Sequence, residues 1–218
     1  MKTKLLILLL FIARIAFGQA WTTEDNKFSL EICPTAFLDF ENGPMYEIGT
    51  EYKLHKNISM YIQGGGYIPA EFDRISDIKG YLIKAEIKYY LNADEVSTGK
   101  YVALTGTYKN QSFNFQDSIR LNPPYLKTFR DFKSIYAFSI KYGNLHVFNS
   151  GIIIDWYIGI GLRFKYVTST LTPQEVATLR YNNDSSYDSD ILGDTTFPYG
   201  YALEPNADIG IRIGYRIK

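Results

Sequence analysis

Few side chains in this sequence are suited to covalent chemistry. The chain contains two histidines, His55 and His146, and one cysteine, Cys33. Histidine is the usual general base near neutral pH, but it needs a nucleophile and an orienting acid within hydrogen-bond reach. Each histidine falls in a connection between apolar runs, and Cys33 has no histidine near it in sequence. The sequence therefore predicts no catalytic residue: the histidines are solvated turn residues, and Cys33 is a small packing residue.

Metal and cofactor sites are not predicted either. Four aspartates, Asp184, Asp188, Asp190 and Asp194, lie close together in the C-terminal part of the chain. Carboxylates suit Ca²⁺, but this spacing is not that of an EF-hand loop. Composition favours a solvated acidic loop instead.

The charged residues with a regular pattern occur at alternate positions within apolar runs. In GIIIDWYIGIGLRFKY (151–166), Asp155, Arg163 and Lys165 share one parity with glycines, while the other parity from Ile152 to Tyr166 is wholly apolar or aromatic. Alternate side chains of a β-strand point to opposite faces. The run therefore predicts a long strand with one charged face and one apolar face, and the last twelve residues, ADIGIRIGYRIK, repeat it.

Eight such runs can be assigned along the chain. They cover residues 28–38, 45–54, 58–68, 81–91, 101–110, 134–142, 151–166 and 207–218. Pro34 predicts a bulge or break in the first run, because proline cannot donate to a strand ladder. Two long loops are expected at 111–133 and 167–203. An even number of strands with short turns at one end and long loops at the other is typical of outer-membrane β-barrels.

Alternation alone does not decide which face meets lipid, because a soluble lipocalin-like exported barrel also alternates, with its apolar face inward. Three features favour the apolar face outward: glycines beside the charges, mixed charge signs on one face, and the unequal loops. The interior of an eight-stranded barrel holds only side chains, so buried charges need small neighbours and opposite partners. The predicted barrel-interior charge network comprises Glu31, Glu47, Glu51, Lys53, Lys84, Glu86, Lys88, Asp155, Arg163, Lys165, Asp208, Arg212 and Arg216.

Residues 1–18 have the pattern of a cleaved signal peptide. Lys2 and Lys4 precede a short apolar run, and Ala16-Phe17-Gly18 fits a small-x-small cleavage site. The predicted division is a signal peptide at 1–18 and one barrel domain at 19–218. Cleavage would remove 3 of the 23 basic residues and none of the 23 acidic ones, leaving a net charge of 20 − 23 = −3. This balance does not suggest a nucleic-acid partner.

Both long loops contain local signals. Thr172-Pro173-Gln174-Glu175 is a capping box with proline at the first helical position, which predicts a short helix at 173–181. The 111–133 loop mixes basic and aromatic residues, which could engage lipopolysaccharide phosphates. The alternation of Phe113-Asn114-Phe115 instead favours an extension of the flanking strands beyond the membrane.

Four blocks resemble a known group of proteins. They are GYLIKAEIKYYLN (80–92), GKYVALTGTYK (99–109), DWYIGIGLRFKY (155–166) and the terminal IGIRIGYRIK. They resemble the small outer-membrane barrels common in Bacteroidota, of the OmpA/OmpX-like type, across most of the mature chain. The resemblance implies an all-β fold: an eight-stranded antiparallel up-and-down transmembrane β-barrel with short periplasmic turns and long external loops. The terminal Ile-Lys departs from the closing aromatic residue usual in that group.

Three classes of function remain open on this basis. The first is a structural or binding barrel in the outer membrane that presents loops 111–133 and 167–203 to a protein partner or surface glycan, surrounded by membrane lipid and lipopolysaccharide. The second is a narrow pore, which an ion-paired interior disfavours. The third is a lipid-modifying barrel enzyme, which the missing histidines at the outer rim disfavour. We expect a non-enzymatic barrel of the first class, without a cofactor.

Overall fold

The chain folds into a closed ring of eight antiparallel strands, each paired with its neighbours in sequence order. The computed structural model describes residues 28–38, 44–55, 57–69, 75–91, 98–180 and 199–217. The strands are β1 (Phe28–Ile32), β2 (Met45–His55), β3 (Ile58–Tyr67), β4 (Ile75–Tyr90), β5 (Gly99–Ile119), β6 (Tyr125–Val147), β7 (Ile152–Ser169) and β8 (Gly200–Ile217). Pairing of β1 with both β2 and β8 closes the ring. The predicted eight-stranded up-and-down fold is confirmed.

Two short helices accompany the strands. A 3₁₀ helix occupies Pro34–Leu38, and the α-helix α1 occupies Pro173–Arg180. The Thr172 amide donates to the Glu175 carboxylate at 2.7 Å, and the Glu175 amide donates to the Thr172 hydroxyl at 3.4 Å. This reciprocal pair is the predicted capping box, so the predicted helix is confirmed. Among the described residues, no helix is long and apolar enough to cross a membrane.

The charged parity of every strand faces the barrel interior. Glu86, Lys141 and Arg212 are at most 1% exposed, whereas Leu104 and Ile160 on the other parity are 63% and 75% exposed. A barrel of eight strands is narrow enough for inward side chains to fill it. The lipocalin-like alternative, with its apolar face inward, is therefore wrong.

The two ends of the barrel differ in their connections. One end, the turn end, carries the β2–β3, β4–β5 and β6–β7 connections at 56–57, 91–98 and 148–151. The opposite end, the loop end, carries the connections at 33–44, 68–74, 120–124 and 170–199. The longest connection is the last of these, so the predicted asymmetry holds, although 120–124 is short.

The expected loop at 111–133 is wrong. β5 continues to Ile119 and β6 begins at Tyr125, so only 120–124 connect them. The pairing runs without a break from Gly99↔Leu145 to Ile119↔Tyr125. The sequence pattern was misleading because the polarity reverses: beyond Tyr108 the outward residues are Asn110, Ser112 and Asn114, while Phe113 is buried inside. The strands extend beyond the apolar belt, as the alternation of residues 113–115 favoured.

Five other strand limits also need correction. β4 begins at Ile75 rather than 81, and β6 ends at Val147 rather than 142. β1 ends at Ile32, because the break expected at Pro34 becomes a 3₁₀ helix rather than a bulge within a longer strand. β7 continues to Ser169, and β8 begins at Gly200 rather than near 207, so less of 167–203 is irregular than expected. The predicted signal peptide and the aspartate cluster at 184–194 lie outside the described residues.

We predict that the folded barrel resists sodium dodecyl sulfate until it is heated. Closure leaves no free sheet edge in a barrel, and internal backbone hydrogen bonds resist detergent competition. Unheated and boiled samples of the purified protein should migrate differently on a denaturing gel, with strand-dominated circular dichroism before boiling. Identical migration of the two samples, or full solubility without detergent, would contradict a membrane barrel.

Candidate functional site

A chain of ion pairs of alternating sign crosses the barrel interior. In order of contact, its members are Glu51, Lys88, Asp155, Arg212, Glu86, Lys141, Asp208 and Lys84. The nitrogen–oxygen distances along it are 2.6, 3.0, 3.2, 2.5, 2.5, 2.8 and 3.9 Å. Four acids thus face four bases. Every charge in this set has an opposite neighbour, which is what makes burial of the set tolerable.

The ion pairs connect opposite walls of the barrel. β4 and β8 stand four positions apart in a ring of eight, so they face each other across the interior. Arg212 on β8 binds Glu86 on β4 through two nitrogen–oxygen contacts, at 2.5 and 3.2 Å. Lys88 on β4 also reaches Asp155 on β7, at 3.0 Å. These contacts brace the wall across its width, in addition to the strand ladders around it.

Arg212 lies at the centre of this arrangement. Its guanidinium carbon is 4.1 Å from the centroid of the Tyr61 ring and 4.3 Å from that of the Tyr157 ring. A planar guanidinium stacks well on aromatic faces while its edges bind carboxylates. Asp155 and Glu86 occupy those edges. The two rings and two carboxylates therefore fix Arg212 in one orientation.

Tyrosine hydroxyls complete the shells of the carboxylates. Tyr90 donates to Glu51 at 2.6 Å, and Tyr101 donates to Asp155 at 2.8 Å. Ser59 donates to the same Glu51 oxygen as Tyr90, also at 2.6 Å. A buried carboxylate accepts several hydrogen bonds when ionised, and these donors satisfy it without adding charge.

Glycines make room for the tyrosine rings. A Cβ atom on Gly210 would lie 2.4 Å from the Tyr157 hydroxyl oxygen, and one on Gly49 would lie 2.1 Å from that of Tyr61. Both distances are far below van der Waals contact. The two rings that enclose Arg212 thus each lie over a glycine, as the predicted need for small neighbours anticipated.

Apolar clusters lie in the interior on both sides of the central ion pairs. Toward the loop end, the buried cluster contains Cys33, Ala36, Met45, Tyr67, Ile78, Leu82 and Phe113. Toward the turn end, it contains Tyr90, Tyr101, Ala103, Leu145 and Ile153. The central ion pairs therefore lie between two buried apolar clusters.

The remaining residues of the predicted network are also inward, but they belong to other contacts. Arg163 and Lys165 both bind Glu204, at 2.8 and 2.7 Å. Glu31 accepts from Ser29 at 2.7 Å, and Glu47 accepts from Gln63. Lys53 and Arg216 are half-buried and each makes an interaction. The structure thus gathers Glu51, Lys84, Glu86, Lys88, Asp155, Asp208 and Arg212 into one chain and leaves the other six outside it.

Several members of this site are not part of the predicted network. Glu204 falls outside the last predicted strand, which begins at 207, although its parity matches that of Asp208. Lys141 has the inward parity that the alternation predicts and joins two acids, but the predicted network does not include it. Tyr61 and Tyr157 also have inward parity, but no sequence pattern indicates that they enclose Arg212.

A second polar site attaches helix α1 to the β5–β6 hairpin. The Glu175 carboxylate accepts hydrogen bonds from Lys127 at 2.5 Å and from Tyr125 at 2.6 Å, in addition to its bond from the Thr172 amide. These donors, Lys127 first, lower the pKa of the Glu175 carboxyl to about 2. Leu171 packs with Ile119 and Phe129 beneath the helix. The described part of the loop end at β5, β6 and α1 is therefore a folded cap.

The outer surface is an apolar belt edged by aromatic rings. Near the loop end, the centroids of Tyr81 and Tyr108 are 5.9 Å apart, and those of Tyr108 and Tyr136 are 4.8 Å apart. Near the turn end, Tyr142 and Trp156 are 6.1 Å apart. At about 3.3 Å per residue and a strand tilt of about 40°, the Tyr81–Tyr89 stretch of β4 rises about 20 Å. That height is close to the lipid-facing band of an outer-membrane barrel.

The described residues offer no metal site: no three or more His, Cys, Asp or Glu side chains are grouped so as to hold an ion. Cys33 is buried, with its sulfur 3.3 Å from the Thr35 hydroxyl. His55 and His146 are exposed at the turn end.

Comparisons with known proteins give one family and one solved structure. Residues 40–195 match the family described as "Protein of unknown function (DUF3575)". A comparison with curated proteins found no match. The crystal structure of CarO from Acinetobacter baumannii is similar at a TM-score of 0.36 and 9% identity, over 87% of this chain and 96% of that one. A similarity this low supports no statement about function.

We predict that breaking the central ion pair on one side only is strongly destabilising. Arg212→Met should leave Glu86 and Asp155 short of a partner and lower the free energy of unfolding by about 3–5 kcal/mol. Arg212→Met combined with Glu86→Gln should cost less than the two single changes summed, because Asp155 keeps Lys88 and Lys141 keeps Asp208. The free energy of unfolding of the two single variants and the double variant is measured by urea titration in detergent micelles. Lys100→Gln, on the exposed face, is the control, and additive effects in the double variant would refute the coupling.

We also predict that glycine is required beneath the tyrosine rings but not on the outer face. Gly210→Ala should displace Tyr157 from Arg212 and cost about 1–3 kcal/mol, as overpacking usually does. Gly106→Ala is the matched control, because its Cβ would meet nothing closer than 3.9 Å. Each variant is heated to a series of temperatures, and the gel shift reports the fraction that remains folded. The midpoint temperatures of the two variants are then compared. Equal midpoints for the two variants would mean that the Tyr157 position is not constrained by Gly210.

Proposed function

We infer that this chain, which belongs to the DUF3575 family, is an outer-membrane barrel that acts as a rigid, non-conducting support for a recognition surface at its loop end. In this proposal the turn end faces the periplasm and the loop end faces outward. The partner is a protein or a surface glycan. The barrel itself performs no chemistry.

The packed interior is the observation that carries the proposal. Ion pairs from β4 to β8 brace the barrel across its width, with Arg212 stacked between two rings. Apolar clusters lie on both sides of that layer, and the inward Arg163 and Lys165 nearer the loop end are paired with Glu204. A conducting or transporting barrel needs a continuous polar path, and side chains so packed and paired are suited to rigidity instead.

The apolar belt supports the membrane location. Large hydrophobic residues are exposed around the ring, on β4, β5, β6, β7 and β8 alike. Such a surface is much larger than a soluble monomer leaves uncovered. Strands in a closed barrel also satisfy each other's backbone groups, as the hydrocarbon region requires.

The loop end supports the location of recognition. β5 and β6 extend beyond the belt as a hairpin, and α1 is fixed on it through Glu175 and Leu171. Loops and caps on a rigid scaffold carry binding in many folds. A folded cap held by both an ionic contact and an apolar cluster gives a preformed surface, which lowers the entropic cost of binding.

The narrow pore and the lipid-modifying enzyme remain less supported. The packed interior argues against the pore. The two histidines are exposed at the turn end, which is the periplasmic side in this proposal and far from the outer leaflet. A base for lipid chemistry in that leaflet would have to be another residue type.

Orientation and conductance test the proposal together. Cysteine replaces Ser118 at the loop end in one variant and Ser150 in the β6–β7 turn in the other; both positions are exposed. On intact cells, a membrane-impermeant maleimide should label the first variant and not the second, while both should react after lysis. The reverse pattern would invert the topology.

The same purified protein should show no steady conductance in planar bilayers. Large open-channel currents from the unmutated chain would overturn the support role and favour the pore.

The cap is then tested by replacing residues 120–124 with a Gly-Ser turn of equal length and by substituting Glu175→Gln. These variants should keep the gel shift and the labelling of intact cells, but lose proteins captured by cross-linking on the cell surface; unchanged capture would place recognition elsewhere.

A further inference from the structure

The outer face of β4–β6 changes character just beyond the row of Tyr81, Tyr108 and Tyr136. On β5 the outward positions become Asn110, Ser112 and Asn114. The register places Lys79 of β4 opposite Ser112 and Arg130 of β6 opposite Asn114. Amides and a hydroxyl of β5 thus lie between two cations, immediately beyond the aromatic edge of the belt, and the exposed ring of Phe132 on β6 lies opposite Ser112.

These cations are held in place without being neutralised. Arg130 donates to the Ser112 hydroxyl at 3.1 Å and lies 3.5 Å from Asp77. Lys79 lies 2.7 Å from the same Asp77. Two cations therefore share one carboxylate, and the group carries a net positive charge. The side chains of Lys79 and Arg130 are 64% and 33% exposed, so both remain accessible.

The neighbouring wall stays aromatic for one register row longer. In the row of Asn110 and Ser134, the outward residues of β7 and β8 are Tyr166 and Tyr201, whose rings stack at 4.5 Å. In the next row, Thr168 of β7 lies opposite Phe132. The outward polar side chains of β5 and β6 therefore begin one row before that of β7.

We propose that this face binds the phosphorylated saccharide headgroup of an outer-leaflet glycolipid. Arg130 and Lys79 bind a phosphate, since guanidinium and ammonium groups are its preferred protein partners. Asn110, Ser112 and Asn114 supply donors and acceptors for saccharide hydroxyls. The acyl chains lie on the apolar belt below the tyrosine row, where aromatic rings mark the headgroup boundary.

Two observations select this occupant. The net positive charge of the group complements phosphate, and its position beside the aromatic edge is headgroup depth in a membrane. The inference rests on the proposed membrane location, but not on the proposed recognition role of the cap.

The test measures lipid retention by native mass spectrometry on the full chain in detergent. The probes are a bis-phosphorylated acylated disaccharide of the lipid A type, its dephosphorylated form, and phosphatidylglycerol. The phosphorylated glycolipid should bind most tightly. Arg130→Gln and Lys79→Gln should each weaken it about fivefold, from the usual value of a cation near an anionic membrane surface. Lys100→Gln, an exposed lysine on β5 at the turn end, should change nothing.

Each other outcome overturns the inference. Equal retention by the wild type and by both β4–β6 variants would place any lipid elsewhere. Equal binding of phosphatidylglycerol would remove the role of the saccharide, and equal binding of the dephosphorylated form would remove that of the phosphate. The gel shift confirms that each variant is folded. If the gel shift and the surface labelling are as expected but the lipid retention is not, only this inference is wrong. If the gel shift and the surface labelling also differ from expectation, the proposed function is wrong as well.

Discussion

The narrow interior of an eight-stranded barrel is the constraint on which the rest of this structure depends. Side chains alone must fill it, and half the residues of every strand point into it. In this chain many of those residues are charged, so they survive burial only by pairing. The chain of alternating charges centred on Arg212 and Glu86 is the result, and it connects strands that no backbone ladder joins.

The same constraint explains the glycines and tyrosines. Arg212 needs a flat, weakly polar lining on both faces, which Tyr61 and Tyr157 provide. Those rings fit only because the neighbouring positions lack a Cβ atom. The ionic, aromatic and small residues therefore depend on one another for packing. Substitutions among them should have non-additive effects on the free energy of unfolding.

The polarity of the outward and inward residues changes along the barrel wall. Within the belt, the apolar residues point outward and the charges inward. Beyond Tyr108 on β5 the relation reverses, with Asn110 outward and Phe113 inward. In the proposed membrane location, this reversal marks the point where the wall leaves the lipid. The barrel thus continues as a folded cap, with Phe129 and Leu171 in its own small core, and recognition is proposed to lie there.

The sequence by itself determined the number of strands, the inward parity of the charges and the capped helix at Pro173, because each depends on local periodicity or a local hydrogen bond. It did not locate the ends of β5, β6 and β8, because an apolar outward face indicates a strand only within the belt, and on β5 the polarity reverses beyond it. Only the tertiary structure decided that Arg212 binds Glu86 on the opposite wall in addition to Asp155 on the neighbouring strand. That choice is set by the closure of the ring and its register, which bring β8 opposite β4, and no local pattern contains this information.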